Sequence, residues 1–178
     1  MSKPWISLVN IEEAPEVIRL AAEEHLSHGY RMTNEKRTLL HNRTAFEALE
    51  GMSYAMSAEM KRFTGHRAAN IFQYAISLEN DCLVCSTYYR RLMKSFGIED
   101  LSEAVFTEEE ELLIAYARAI ARDHKHIPEN LLNQLLERYG EEGVVVITTM
   151  GMFMIGNNYF NDILGVQSEF LIPAEGGL

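Results

Sequence analysis

The sequence predicts an all-helical fold. Apolar residues recur every three or four positions through most of the chain, and helix start and stop signals punctuate the segments. The one stretch with strand-like chemistry, Gly143 to Phe160, is long and stands among helices.

Pro15 suits a first helical turn, where its missing N–H would be unpaired anyway, and Val17, Leu20, Ala21 and Ala22 follow at about helical spacing. From Ala45 to Arg62, the residues Leu49, Met52, Met56 and Met60 step by three or four. A deformable Met stripe of this kind fits core or subunit-interface packing. A further helix runs from Gly65 to Glu79. Asn80-Asp81 breaks it and offers caps for a helix from Cys82 to Phe96, which Gly97 stops. Thr107 and Glu110 have capping-box spacing before the apolar run Leu112 to Ala121. Pro128 opens a helix that ends at Gly140. The Val-Val-Val-Ile-Thr-Thr run after Gly143 is β-branched, yet its length favours helix. The tail from Gly165 to Leu178 has no period and is expected to be an extended arm, suited to packing on a neighbouring subunit.

A chain of 178 residues without linker, repeat or composition break is expected to form a single domain, residues 1–178. Its 47% hydrophobic and 24% charged content excludes the disordered class. A net charge of −10 speaks against nucleic acid, since phosphate binding needs a basic footprint. The densest basic spots, Lys61-Arg62 with His66-Arg67 and Arg90-Arg91 with Lys94, read as solvated helix faces. No apolar run follows the first residues as in a secretory signal. The stretch from Gly143 to Gly156 is shorter than the roughly 18 to 20 residues that span a bilayer. A cytoplasmic protein with no membrane contact is therefore expected. In that compartment a pair of cysteines is seldom a structural staple.

The chemistry concentrates at Cys82-x-x-Cys85. Zinc would need four ligands, and His124 with His126 make a poor completing pair, so no metal or cofactor is expected. Two buried packing cysteines remain an alternative. The third reading is a dithiol, because residues three apart share a helix face and their sulfurs can meet. At a helix start the dipole and free N–H groups favour thiolate, while Glu79 and Asp81 oppose it. In the preceding helix His66, Asn70, Gln73 and Ser77 form a polar stripe. It fits either a buried proton relay or a face toward solvent or a polar interface.

Ser77-x-x-Asn80-x-Cys82-x-x-Cys85, between an amphipathic helix and one ending at Gly97, resembles the core of the carboxymuconolactone decarboxylase and alkylhydroperoxidase AhpD family. The likeness extends more weakly over about 41–160, with an N-terminal helical extension outside it. The resemblance implies an all-helical, AhpD-like bundle assembled as a homo-oligomer, a trimer or hexamer. It also implies an antioxidant thiol oxidoreductase that reduces a small hydroperoxide or disulfide and is re-reduced by a partner protein or thiol. By the same resemblance Cys85 would attack peroxide and Cys82 would resolve the sulfenic acid. The family relay has Glu and His where this chain has Asn70 and Tyr89. Asn takes up no proton at neutral pH, and Tyr with a reference pKa of about 10 is a poor base. Either His66 serves as base, or peroxidase activity is weak or altered. A decarboxylase or lactone-processing enzyme on the same helices, and a non-catalytic redox sensor, are the alternatives. His25, His28 and His41 lack obvious partners and are expected at the surface or an interface.

Overall fold

The structure is a computed structural model that describes residues 3–102 and 104–170. They form a 3₁₀ turn, Ile11–Glu13, and six helices: α1 (Glu16–Ser27), α2 (Asn34–Leu39), α3 (Arg43–Glu79), α4 (Leu83–Ser95), α5 (Glu108–Asp123) and α6 (Glu129–Leu164). No strand occurs among the described residues. The all-helical expectation holds.

α3 carries both of the helices expected at 45–62 and 65–79, joined at Gly65. There φ is 77° and ψ is 166°, a conformation open to glycine and strained for residues with a Cβ. α6 joins its two segments in the same way at Gly140 (φ 64°). The β-branched run after Gly143 is thus helical, and Ile147, Met150 and Met154 turn inward at helical spacing.

α3 is the central element and packs against α4, α5 and α6. Ile71, Phe72 and Ile76 of α3, Leu113 and Ala117 of α5, and Ile147, Met150 and Met154 of α6 form the main core. At Gly151 these helices approach closely, and an added Cβ would meet the tip of Ile120 of α5 and lie close to the Phe72 ring of α3. Thr107 and Glu110 form the expected capping box at the start of α5. The buried Glu110 also pairs with Arg67 of α3, tying the two helices together.

α6 contains an 18-residue window apolar enough to cross a membrane by composition alone. Its inward face is spent on the core shared with α3 and α5. A second cluster, Ala21, Ala22, Leu39, Leu40 and Phe46, fastens α1 and α2 to the first half of α3. Here His25 departs from expectation. It is buried, with Nδ1 at 2.5 Å from the Tyr54 hydroxyl and Nε2 at 3.0 Å from the Arg31 carbonyl oxygen. The polar partners that permit its burial lie far away in sequence. His28 and His41 are exposed, as expected.

The chain does not extend away after α6. Gly165 caps the helix in the left-handed region, and Val166 N–H donates to the Asn161 carbonyl at 2.9 Å. Ser168 then hydrogen-bonds Thr87 of α4 at 2.7 Å, and the Phe170 ring lies under the Arg91 guanidinium. Residues 165–170 therefore pack on their own chain rather than forming an extended arm, because polar and cationic partners on α4 hold them. The rest of the expected arm, 171–178, lies outside the described residues.

Candidate functional site, a buried thiol pair

The cysteines sit where α3 hands over to α4. Asn80 ends α3, Asp81 takes φ 55° to reverse the chain, and Cys82 N–H donates to the Ser77 carbonyl at 3.1 Å. Asn80 and Asp81 therefore do not cap α4. Cys82 is the N-cap residue, and its carbonyl accepts from Ser86 N–H at 2.8 Å. Cys85 follows in the first turn. Both thiols are free and buried, packed with Val84 and Val166.

Cys85 Sγ is met by two side-chain amides from α6. Asn161 Nδ2 lies at 3.3 Å and Asn157 Nδ2 at 3.8 Å. The same two nitrogens reach the carboxylate of Glu35 on α2, at 3.3 Å and 3.4 Å. A carboxylate only accepts, so it fixes both amides with their N–H groups toward Glu35 and the sulfur. Glu35 is in turn paired with Lys36, 3.1 Å away, and Lys36 pairs with the buried Glu50 of α3. Asn158, between them in sequence, donates to Asn80 Oδ1 at 3.1 Å and braces the turn that carries the cysteines.

The electrostatics oppose easy ionisation. A hydrogen bond shared with Cys82, then burial, push the Cys85 thiol well above its usual range. The charges of Cys82 and Glu35 add to this, and the Asn161 N–H works against it. Desolvation and like charge thus outweigh the helix-start advantage expected from the sequence. Near Cys82, burial raises the Asp162 carboxyl, partly offset by a hydrogen bond from Cys82, with Asp81 adding to the rise.

Of the expected relay residues, Tyr89 lies on α4 with its hydroxyl donating to Gln73 Oε1 at 2.7 Å. Burial raises its pKa well above the ordinary phenol value, with Tyr88, Cys85 and Glu35 adding to the rise. Asn70, Gln73 and Ser77 are buried, so this part of the stripe does not face solvent. Each donates one turn back, to the carbonyls of His66, Ala69 and Gln73, at 2.7, 3.0 and 2.9 Å. The His66 side chain is exposed, edge-on to Phe96. No hydrogen bond among the described residues joins His66 or Asn70 to either thiol.

Glu35, Asn157 and Asn161 are the site residues that sequence reasoning missed. Asn157 and Asn161 had a signal, two amides four apart on a long apolar helix. Glu35 had none, since only the docking of α2 brings it to Cys85. A cavity of about 620 Å³ is lined by Trp5, Ile6, Leu8, Asn34, Val166 and Gln167, and neither cysteine is in its wall. Val166 is common to its wall and to the cysteine cluster. Among the described residues no group of three or more His, Cys, Asp or Glu side chains is placed to hold a metal ion.

No protein-family model matches the chain, and no curated protein does. Among solved structures it is similar to a protein of unknown function from Agrobacterium tumefaciens, described as a candidate antioxidant defence protein AhpD. The TM-score is 0.62 at 19% identity, covering 75% of this chain and 94% of that one. The fold is AhpD-like. At this identity the likeness concerns helix arrangement alone, and the roles of individual side chains rest on their geometry in this chain.

Proposed function

We propose that this AhpD-like protein is a thiol oxidoreductase that reduces hydroperoxides or disulfides through Cys85 and Cys82. The observation that carries the reading is the pair of free thiols buried at the start of α4, Cys82 at its N-cap and Cys85 in its first turn, with the Asn161 amide donor on Cys85 Sγ. An N–H donor favours the charged form of the sulfur, which is the nucleophile.

The steps balance without a cofactor. Cys85 thiolate attacks the distal oxygen of ROOH, forming S–O as O–O breaks, and the departing alkoxide leaves as ROH with the proton that Cys85 gave up. Cys82 thiolate then attacks the sulfenic sulfur, forming S–S as S–O breaks, and hydroxide leaves as water with the second thiol proton. Two thiols are oxidised by two electrons and the peroxide is reduced by two. A reducing protein or small dithiol must return the disulfide to thiols. The buried Oδ1 atoms of Asn157 and Asn161 have no hydrogen-bond donor among the described residues, and a hydroperoxide or sulfenic O–H would supply one. Burial and the raised Cys85 pKa, with Asn70 and Tyr89 supplying no base, make this a slow peroxidase. His66 has no direct part in the scheme.

A soluble, cytoplasmic homo-oligomer, trimer or hexamer, completes the proposal. Val145, Met152, Tyr159 and Ile163 are all more than half exposed and recur at seven, seven and four residues along α6. That spacing gives one apolar stripe of a kind that marks protein contacts.

The test is hydroperoxide consumption with dithiothreitol as reductant. Turnover in the wild type, lost in Cys85→Ser, supports the proposal. Turnover of a lactone or carboxylate that survives loss of both cysteines would replace it with the decarboxylase reading. Disulfide formation without turnover would leave a redox sensor.

A further inference from the structure

A carboxylate from α2 reaches Cys85 through two amides of α6. Glu35 stands on α2, which the small apolar cluster of Leu39, Leu40 and Phe46 fastens to α3. Its Oε2 accepts from both Asn157 and Asn161, the two amides that meet Cys85 Sγ. Side-chain amides can present nitrogen or oxygen with little change of shape, and only the hydrogen-bond network decides which. An oxygen turned to Cys85 would repel a thiolate, whereas an N–H stabilises it. With Glu35 fixed opposite, the nitrogen must face inward, even though this leaves Oδ1 of both amides without a donor among the described residues.

The carboxylate is itself braced. Lys36 pairs with Glu35 and with Glu50, the Tyr54 hydroxyl donates to Glu50 Oε2 at 2.7 Å, and His25 Nδ1 lies 2.5 Å from that hydroxyl. Lys36 places a cation between the two buried carboxylates and offsets part of their charge. Tyr54 and His25 both line a surface cavity of about 420 Å³. A continuous polar chain therefore runs from that cavity to the reactive sulfur.

We propose that Glu35 is the positioning residue of Cys85, holding the Asn157 and Asn161 amides in the orientation that stabilises its thiolate. The inference rests on the thiol chemistry proposed above. It makes the N-terminal helices part of the site, because the amide orientation is set by α2. The other titratable or charged groups around Cys85 are Cys82 and Asp81 before α4, Tyr88 and Tyr89 on α4, Asp162 on α6, and Lys36 on α2.

The test follows the ultraviolet absorbance of the Cys85 thiolate against pH in a Cys82→Ser background, with the double Cys→Ser protein as baseline. Two opposed effects separate cleanly. As a bare negative charge Glu35 disfavours the thiolate, so its removal would move the titration down. As a positioning residue it favours the thiolate through the amides, so Glu35→Ala moves the titration up by about one pH unit or more. At a fixed pH below the transition the thiolate fraction then falls about tenfold. Glu35→Gln, which keeps an amide oxygen as acceptor, recovers part of the loss. Asn161→Leu moves the titration the same way, and adding Glu35→Ala to it moves it little further. A downward or absent shift in Glu35→Ala, or full additivity with Asn161→Leu, overturns the proposal. If Glu35→Ala fails to fold, as its circular dichroism would show, the Asn161→Leu and Glu35→Gln titrations still decide. The readout needs no turnover. A shift found in a protein that consumes no peroxide would sustain this inference and remove the functional reading.

Discussion

The side-chain nitrogen of Asn161 lies 3.3 Å from the sulfur of Cys85, joining the last turns of α6 to the first turn of α4. This contact and the burial around it act in opposite directions on the thiol. The Cys82 hydrogen bond and burial win, which pushes the Cys85 thiol above its ordinary range. The rate of peroxide oxidation of Cys85 should therefore keep rising with pH through and beyond about 8.5, where an ordinary thiol levels off. Stopped-flow oxidation across a pH series checks this. A plateau at or below neutral pH would show that the N–H donors dominate.

The same shift makes a stability statement. A folded-state pKa raised above the unfolded value means stability is complete below the unfolded pKa and falls as pH rises toward the folded one. Thermal melts should lose stability above about pH 8.5, and Cys85→Ser should blunt that loss. An equal alkaline slope in the variant would place its origin in other groups, Tyr89 among them.

By the resemblance read from the sequence, Asn70 and Tyr89 would take the places of the Glu and His of a proton relay. General-base help is typically worth about 10²–10⁴-fold. Restoring it with Asn70→Glu and Tyr89→His together should raise peroxide turnover by roughly tenfold or more, part of the gain being lost to the broken Tyr89–Gln73 hydrogen bond. Steady-state rates at neutral pH are the measurement. An unchanged rate would mean that proton transfer does not limit the proposed reaction.

Much of this architecture was legible before the structure. Gly65, Gly97 and Gly140 mark helix ends or kinks because each adopts positive φ, and the Thr107 box opens α5. The junction carrying the thiols was also legible, to within the identity of the cap. Glu35 was not. A lone Glu after Asn34 looks like a solvated helix residue, and only the packing of Leu39, Leu40 and Phe46 turns it inward. His25 was hidden for the same reason, since Tyr54 and Glu50 lie a helix away. Local signals fix elements, whereas buried polar partners depend on how those elements dock.

Lys36 bridges the buried Glu35 and Glu50. Lys36→Met leaves two carboxylates facing each other with little solvent, and breaking a buried pair costs about 3–5 kcal/mol. Uncompensated carboxylates bind protons more tightly when folded, so the lost stability should return as pH falls toward the carboxylate range. Urea unfolding at neutral and mildly acidic pH measures it. Equal losses at both would show that Lys36 acts through packing alone.

Gly151 lies where α6 crosses α3 and α5. Gly151→Ala sets a methyl against Ile120 and Phe72, an overpacking that costs roughly 1–3 kcal/mol despite the better helix propensity of Ala. The melting temperature should fall. A rise would show that Ile120 swings aside freely.

In the proposed cycle Cys85 reacts first and Cys82 closes the disulfide, so thiol counting after a peroxide pulse separates that order from inert packing. The wild type should lose both thiols and 2 hydrogens of mass. Cys82→Ser should stop at a sulfenic acid on Cys85, and Cys85→Ser should keep its remaining thiol. Two thiols that survive the pulse, and label only after unfolding, would contradict the account and leave the cysteines as packing residues.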